Sequence, residues 1–237
     1  MTALLTLSIT GSAMVAVILY KARSWSRREL LRILAFGSGT LLVSGLNLLV
    51  PSAGREPLFG AIAGFSFFFA LENYAVVHSC PEYLEECSVH SMSGLTAMAL
   101  TFHSLLDGVI LGISAKLGPQ EFWSVLVGMS IHKFADAMTM MALLESEMRL
   151  GYFIHLAIVL GVTLMTPLGA FLTHALPDPE SVAWLLPSMT GFSAGCLLYI
   201  GASDILPRIH RLNDSPCFFY YLAGLASMVG LLKTFAH

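Results

Sequence analysis

Eight apolar stretches, each near the length of a bilayer crossing, follow one another along this chain with only short polar joints between them. They fall at roughly 2–20, 33–50, 58–77, 92–115, 122–144, 152–175, 184–205 and 217–235. A helix rising 1.5 Å per residue needs about 20 residues to cross a hydrocarbon core of ~30 Å. Inside that core each backbone amide must be satisfied within its own segment, which leaves helices as the spanning element. The predicted fold is therefore all-α, a multi-pass membrane helix bundle. The joints leave nothing for a separate soluble unit, so residues 1–237 are expected to form a single transmembrane domain. A composition that is 56% hydrophobic and 11% charged excludes an ordinary water-soluble domain.

Charge sets the expected orientation. No Lys or Arg precedes the first apolar run, and no small-residue cleavage site follows it, so that run reads as a span rather than a secretory signal. Lys21, Arg23, Arg27, Arg28 and Arg32 come directly after it. Positive residues concentrate on the cytoplasmic side, which places this joint inside and the N-terminus outside. Eight spans then bring Arg149, Arg208 and Arg211 to the same side and leave Arg55, Lys116 and Lys233 outside, with the C-terminus. The cytoplasmic joints are expected at about 21–32, 78–91, 145–151 and 206–216. A plasma membrane or a bacterial inner membrane is the expected location. The net charge of −3 offers nothing to nucleic acid. Cys196 and Cys217 read as small buried hydrophobes, and Cys80 and Cys87 share a joint where a stable disulfide is not expected.

The chemistry lies in the fourth and fifth spans. His103-Ser-Leu-Leu-Asp107-Gly108 and His132-Lys-Phe-Ala-Asp136 are two His-x-x-x-Asp pairs. Residues four apart share a helix face, so each pair points an imidazole and a carboxylate the same way. A short joint with Gly118-Pro119 makes the two helices antiparallel neighbours. Folding that hairpin about its centre sets His103 opposite a point between His132 and Asp136, near the middle of the membrane. Ionisable groups at this depth are costly and usually face a polar cavity or pathway. Imidazole and carboxylate suit Zn, Fe and Mn, and the four candidate metal ligands are His103, Asp107, His132 and Asp136. A proton relay uses the same residue types, and a single membrane His is often only a helix–helix hydrogen-bond partner.

Four further residues are candidates for accessory or pathway roles. Ser104 follows His103. Lys133 cannot easily snorkel from mid-depth, and it points some 100° around the helix from His132. It would supply a fixed positive charge beside the ion or pair with Glu72. Glu72 and Asp204 fall near the inner ends of the third and seventh spans, where they would line a cytoplasmic exit or simply be solvated. The joint from His78 to His90 carries two His, two Cys and three Glu without a recognised ligand spacing. It reads as a weak metal-collecting segment or an ordinary polar loop.

At these residues the chain resembles the ZIP family of divalent-metal transporters. His103, Asp107, Gly108 and Gly112 match the family's fourth span. His132-Lys133 matches the His-Lys form of its fifth, with Asp136 where a second His or an acid is usual. Phe192-Ser-Ala-Gly-Cys-Leu-Leu-Tyr199 with Leu206-Pro207 is similar to its seventh span, Gly64-Phe-Ser-Phe to its third, and Leu46 to Pro51 to the end of its second. The resemblance implies eight transmembrane helices in a 3+2+3 arrangement, with helices one to three related to six to eight by inverted topology. It also implies transport of divalent transition metals toward the cytoplasm, Zn2+ foremost and Fe2+, Mn2+ or Cd2+ open, with no organic cofactor. Where many members build a second metal position, this chain has Ser104, Lys133 and Thr166, so one ion per chain is expected. The expected partners are the ion and the lipid bilayer, with a homodimer allowed for. An enzyme is not expected. The alternative from another class is a membrane-embedded zinc hydrolase of lipids or peptides, with metal-bound water as nucleophile and Ser104 as helper.

Overall fold

The computed structural model describes residues 2–22, 24–49, 55–75, 92–117, 119–147, 151–175, 184–211 and 215–235. Among them the chain is helical, with no strand. The long helices are α1 (Thr2–Lys21), α2 (Arg27–Leu49), α3 (Glu56–Ala75), α4 (Met92–Leu117), α5 (Pro119–Glu147), α6 (Tyr152–Ala175), α7 (186–211) and α8 (Pro216–Phe235). Four contain windows long and apolar enough to cross a membrane on length and composition alone: Arg28–Leu49, Gly94–Ile113, Tyr152–Thr173 and Pro216–Thr234. The perimeter is apolar, with Phe153 78% and Trp184 74% exposed, a surface suited to lipid rather than water. His103 and Asp107 of α4 and Lys133 and Asp136 of α5 are buried inside, together with serines and threonines such as Ser38, Thr139 and Ser193. The structure is thus an all-α membrane helix bundle, as the hydropathy pattern predicts.

Two boundaries differ from the sequence reading, each for a local reason. α2 begins at Arg27 rather than near 33 because Ser26 and Glu29 close a capping box. The Ser26 amide and hydroxyl donate to Glu29 Oε2 at 2.9 and 2.8 Å, and the Glu29 amide returns to Ser26 Oγ at 3.3 Å. Just upstream, Trp25 Nε1 donates to the Tyr20 carbonyl at 2.7 Å and closes the end of α1. α7 runs on to Arg211 instead of stopping near 205. A proline ring in a regular α-helix meets the carbonyl four residues back. Here the helix is α-helical over Leu186–Leu198, widens to a π-helix over Tyr199–Ile205, and resumes through Pro207 as Leu206–Arg211. The Leu206 amide donates to the Gly201 carbonyl, which also accepts the Ser38 hydroxyl of α2 at 2.8 Å.

The closest packings pair α3 with α7, α4 with α6, α2 with α8, and α1 with α5. Exchanging α1 with α6, α2 with α7, α3 with α8 and α4 with α5 leaves these pairings unchanged. α2 and α7, which exchange with each other, also touch directly. This is the pattern of two three-helix units about a central α4–α5 hairpin. With each helix crossing once, helices five apart would run oppositely, the inverted arrangement that the resemblance implies.

Small residues make the contacts close. Gly60 and Gly64 of α3 face the backbone of Ser188 and Phe192, while Gly191 and Gly195 of α7 face Pro57 and Ala61. Two Gly-x-x-x-Gly ridges therefore interlock, a common solution where apolar burial cannot drive helices together. Gly108 and Gly169 do the same for α4 and α6, against the carbonyls of Thr166 and Leu105. That contact fixes the rotation of α4, and hence where His103 and Asp107 point.

A side chain on Gly195 would run into the backbone of Ala61 and Phe65. Gly195→Leu is expected to lower the stability of detergent-solubilised protein by at least about 1–3 kcal/mol. Gly230→Leu, at a position with nothing within 4 Å, should leave the thermal unfolding curve in place. Equal curves for the two variants would show that the α3–α7 approach does not carry the fold.

Candidate metal site

His103, Ser104 and Asp107 lie on one face of α4, four residues or fewer apart, as the helical repeat requires. One residue separates α4 from α5, so the helices run antiparallel and His132 and Lys133 of α5 meet them. Asp107 is the centre. Its Oδ2 is 3.4 Å from His103 Nε2, 3.2 Å from His132 Nε2 and 2.7 Å from Lys133 Nζ. His103, Ser104, Asp107 and Lys133 are buried, and the His132 side chain is 13% exposed.

The ligating atoms of His103, Asp107 and His132 all lie within 4.8 Å of one another, forming a group that could hold a metal ion. In a tetrahedral zinc site with bonds near 2.0–2.1 Å, neighbouring ligand atoms stand about 3.3 Å apart. Both nitrogen-to-oxygen distances here are close to that edge. The imidazole rings are 5.7 Å apart between centroids and inclined by 40°, so neither is stacked flat on the other. Two nitrogens and one oxygen suit a divalent transition metal, with the remaining position left to water.

Asp136 stands apart from this group. Its Oδ2 is 3.8 Å from Lys133 Nζ and has no hydrogen-bond partner. The four-residue spacing does put it on the side of α5 that carries His132, but one turn farther along. Lys133 is joined to Asp107 rather than to Glu72, and it also donates to Ser104 Oγ at 2.8 Å. Glu72 accepts the hydroxyl of Tyr199, where the π-helical segment of α7 begins. Asp204 is buried on the same π-helical segment. The His78–His90 joint lies outside the described residues.

Ser193 is a contributor that the sequence reading did not single out. From α7 its Oγ lies 3.4 Å from His103 Nδ1. A ring that offers Nε2 to an ion carries its proton on Nδ1, and that proton needs an acceptor. The serine hydroxyl supplies one. Thr166, before Pro167 in α6, is fully buried against the same region of α4 through its carbonyl. Its side chain brings no carboxylate.

Residues 78–232 match the family model described as ZIP zinc transporter. Among curated proteins, Zinc transporter 1 of Oryza sativa subsp. japonica is 26% identical over 159 residues, which cover 62% of this chain and 45% of that protein. The chain therefore spans less than half the length of this relative. The matched region begins before α4 and ends within α8, so it takes in the whole α4–α5 group and Ser193.

Partners of a ligating ring commonly contribute a 10- to 100-fold change in metal affinity. Ser193→Ala is expected to weaken Zn2+ or Co2+ binding to purified protein by about ten-fold by that rule, measured by calorimetric titration. Affinity equal to wild type would mean that the ring of His103 is oriented without the serine.

Proposed function

Since the chain belongs to the ZIP zinc transporter family, we propose that it carries divalent transition-metal ions across a membrane, Zn2+ foremost, toward the cytoplasm. Fe2+, Mn2+ and Cd2+ suit the same ligands. His103, Asp107 and His132 are the ligands in this reading, replacing part of the ion's water shell near the middle of the bundle. The observation that carries it is the close grouping of these three side chains from α4 and α5 inside an apolar bundle. Ionisable groups at that depth are costly and usually mark a polar cavity or a functional pathway.

The direction rests on charge. The helix ends and joints around the α1–α2, α5–α6 and α7–α8 junctions carry eight of the twelve Lys and Arg, namely Lys21, Arg23, Arg27, Arg28, Arg32, Arg149, Arg208 and Arg211, which favours this side as cytoplasmic. Both termini then lie outside, and residues 1–237 act as a single transmembrane unit. Alternating access follows from the two inverted three-helix units rocking about the α4–α5 hairpin. Glu72 and Asp204, toward the inner ends of α3 and α7, are placed to meet an ion leaving the site.

One feature favours a carrier over a hydrolase. Ser104, the hydroxyl a hydrolase would use, accepts a hydrogen bond from the buried ammonium of Lys133, which draws electron density away from its oxygen. The ammonium also occupies the space beside Asp107 and Ser104 where a second ion would need ligands. One ion per chain follows.

Protein reconstituted in liposomes should take up 65Zn, and His103→Ala and Asp107→Ala should each lower the initial rate by about 100-fold or more, in line with losing a buried ligand. Wild-type rates in correctly folded variants would sink the assignment of the site. Elemental analysis of purified, zinc-loaded protein should return one tightly held ion per chain, and two would contradict the role given to Lys133.

A further inference from the structure

Lys133 touches the very carboxylate oxygen on which His103 and His132 converge. An ion binding there meets an ammonium already seated 2.7 Å from its one anionic ligand. Two like charges that close repel strongly in a medium of low dielectric. Lys133 must yield, and the structure contains the place for it. Asp136 Oδ2 lies 3.8 Å from the ammonium, is buried, and makes no hydrogen bond. A narrow cavity of about 10 Å3, lined by Ser104, Lys133, Asp136 and Thr163, runs beside the pair. That is room for one water at most, which leaves a flexible four-carbon stem space to shift its end by about an ångström.

We propose that Lys133 is a tethered counter-cation, which leaves Asp107 for Asp136 when the ion binds and returns to Asp107 when the ion departs. The inference rests on the transport reading and names how the empty carrier resets. With His103 and His132 neutral, Asp107, Asp136 and Lys133 together carry one net negative charge. A divalent ion turns this into one net positive charge. Without the lysine the empty site would carry two negative charges and the loaded site none. The loaded form would then be favoured, and the empty form would be the costly one to move through the bundle. Lys133 thus gives up some affinity so that the carrier can return unloaded.

The test separates reset from ion movement. In proteoliposomes, zinc–zinc exchange needs only the loaded form, whereas net uptake into zinc-free vesicles needs the empty form to return. Lys133→Met is expected to bind Zn2+ about ten-fold more tightly and to lose about ten-fold in net uptake, while exchange falls by less than about three-fold; a ten-fold change is a modest shift for a buried charge. Adding Asp136→Asn restores the wild-type charge balance and should restore the ratio of uptake to exchange. Lys133→Arg, which keeps the charge, should hold that ratio and guards against a variant that merely folds poorly. Loss of uptake and exchange in equal measure in Lys133→Met, with unchanged zinc affinity, would overturn the proposal. So would a double variant no better than the single one, or a collapsed ratio in Lys133→Arg. Failure of the transport reading itself would look different, with no exchange by the wild-type protein at all.

Discussion

A carboxylate buried in the middle of an apolar bundle is the constraint around which this structure is organised. Asp107 is buried, and beside it the His132 side chain is 13% exposed. An unpaired charge in such a place costs several kcal/mol even after relaxation. The chain answers with an ammonium at 2.7 Å and two imidazole nitrogens at 3.2 and 3.4 Å. The partners come from α4 itself and from α5, so the charge can be satisfied only when those two helices pack at one register. Polar recognition at the centre therefore does what apolar burial cannot do between lipid-solvated helices, which is to choose a single alignment.

That alignment in turn depends on backbones that can approach closely. Gly108 follows Asp107 directly and lies against the carbonyl of Thr166, and Gly169 returns the contact at Leu105. A larger residue at Gly108 would push α4 away from α6 and turn the face carrying His103 and Asp107. The second glycine contact, between α3 and α7, holds the helix that presents Ser193 to the other side of His103. Close packing and site geometry are thus two consequences of the same small residues. The π-helical turn of α7 extends this logic, because it lets the helix continue past Pro207 while bringing Tyr199 to Glu72 and Gly201 to Ser38.

The parts of this arrangement that were legible in the sequence are those set by local spacing. Eight helices follow from eight apolar runs, and the meeting of His103 and Asp107 with His132 follows from a hairpin folded about one short joint. The inverted relation left only a faint echo in the sequence, Leu49-Val-Pro51 against Ile205-Leu-Pro207, since it lives in which helix packs on which. Lys133 could not be assigned to Asp107 rather than Glu72, because that choice depends on the rotation of α4, set by glycine contacts with α6. Ser193 lies 90 residues from His103, and nothing local marks a serine as the partner of a distant ring. Two signals were present but unread. Ser26-x-x-Glu29 is a capping box that starts α2 early, and Gly60-x-x-x-Gly64 with Gly191-x-x-x-Gly195 marks the α3–α7 contact. Pro207 misleads for a physical reason, since a proline ends a regular α-helix but not one that widens a turn before it.

The same centre also bears on how firmly an ion can be held. A site meant to keep zinc permanently closes four ligands around it, commonly with thiolates. Here there are three side chains, none of them a thiolate, and the one anionic ligand is already engaged by an ammonium. In the proposed reading an arriving ion would gain two imidazoles and a carboxylate but would also displace that ammonium toward Asp136. The gain from coordination is offset in part by the cost of separating a buried ion pair, which is of order 3–5 kcal/mol when no new partner is found and less when one is. In the proposed exchange Asp136 would be that new partner. On the proposed transport reading, that balance would favour an ion that binds and leaves over one that stays.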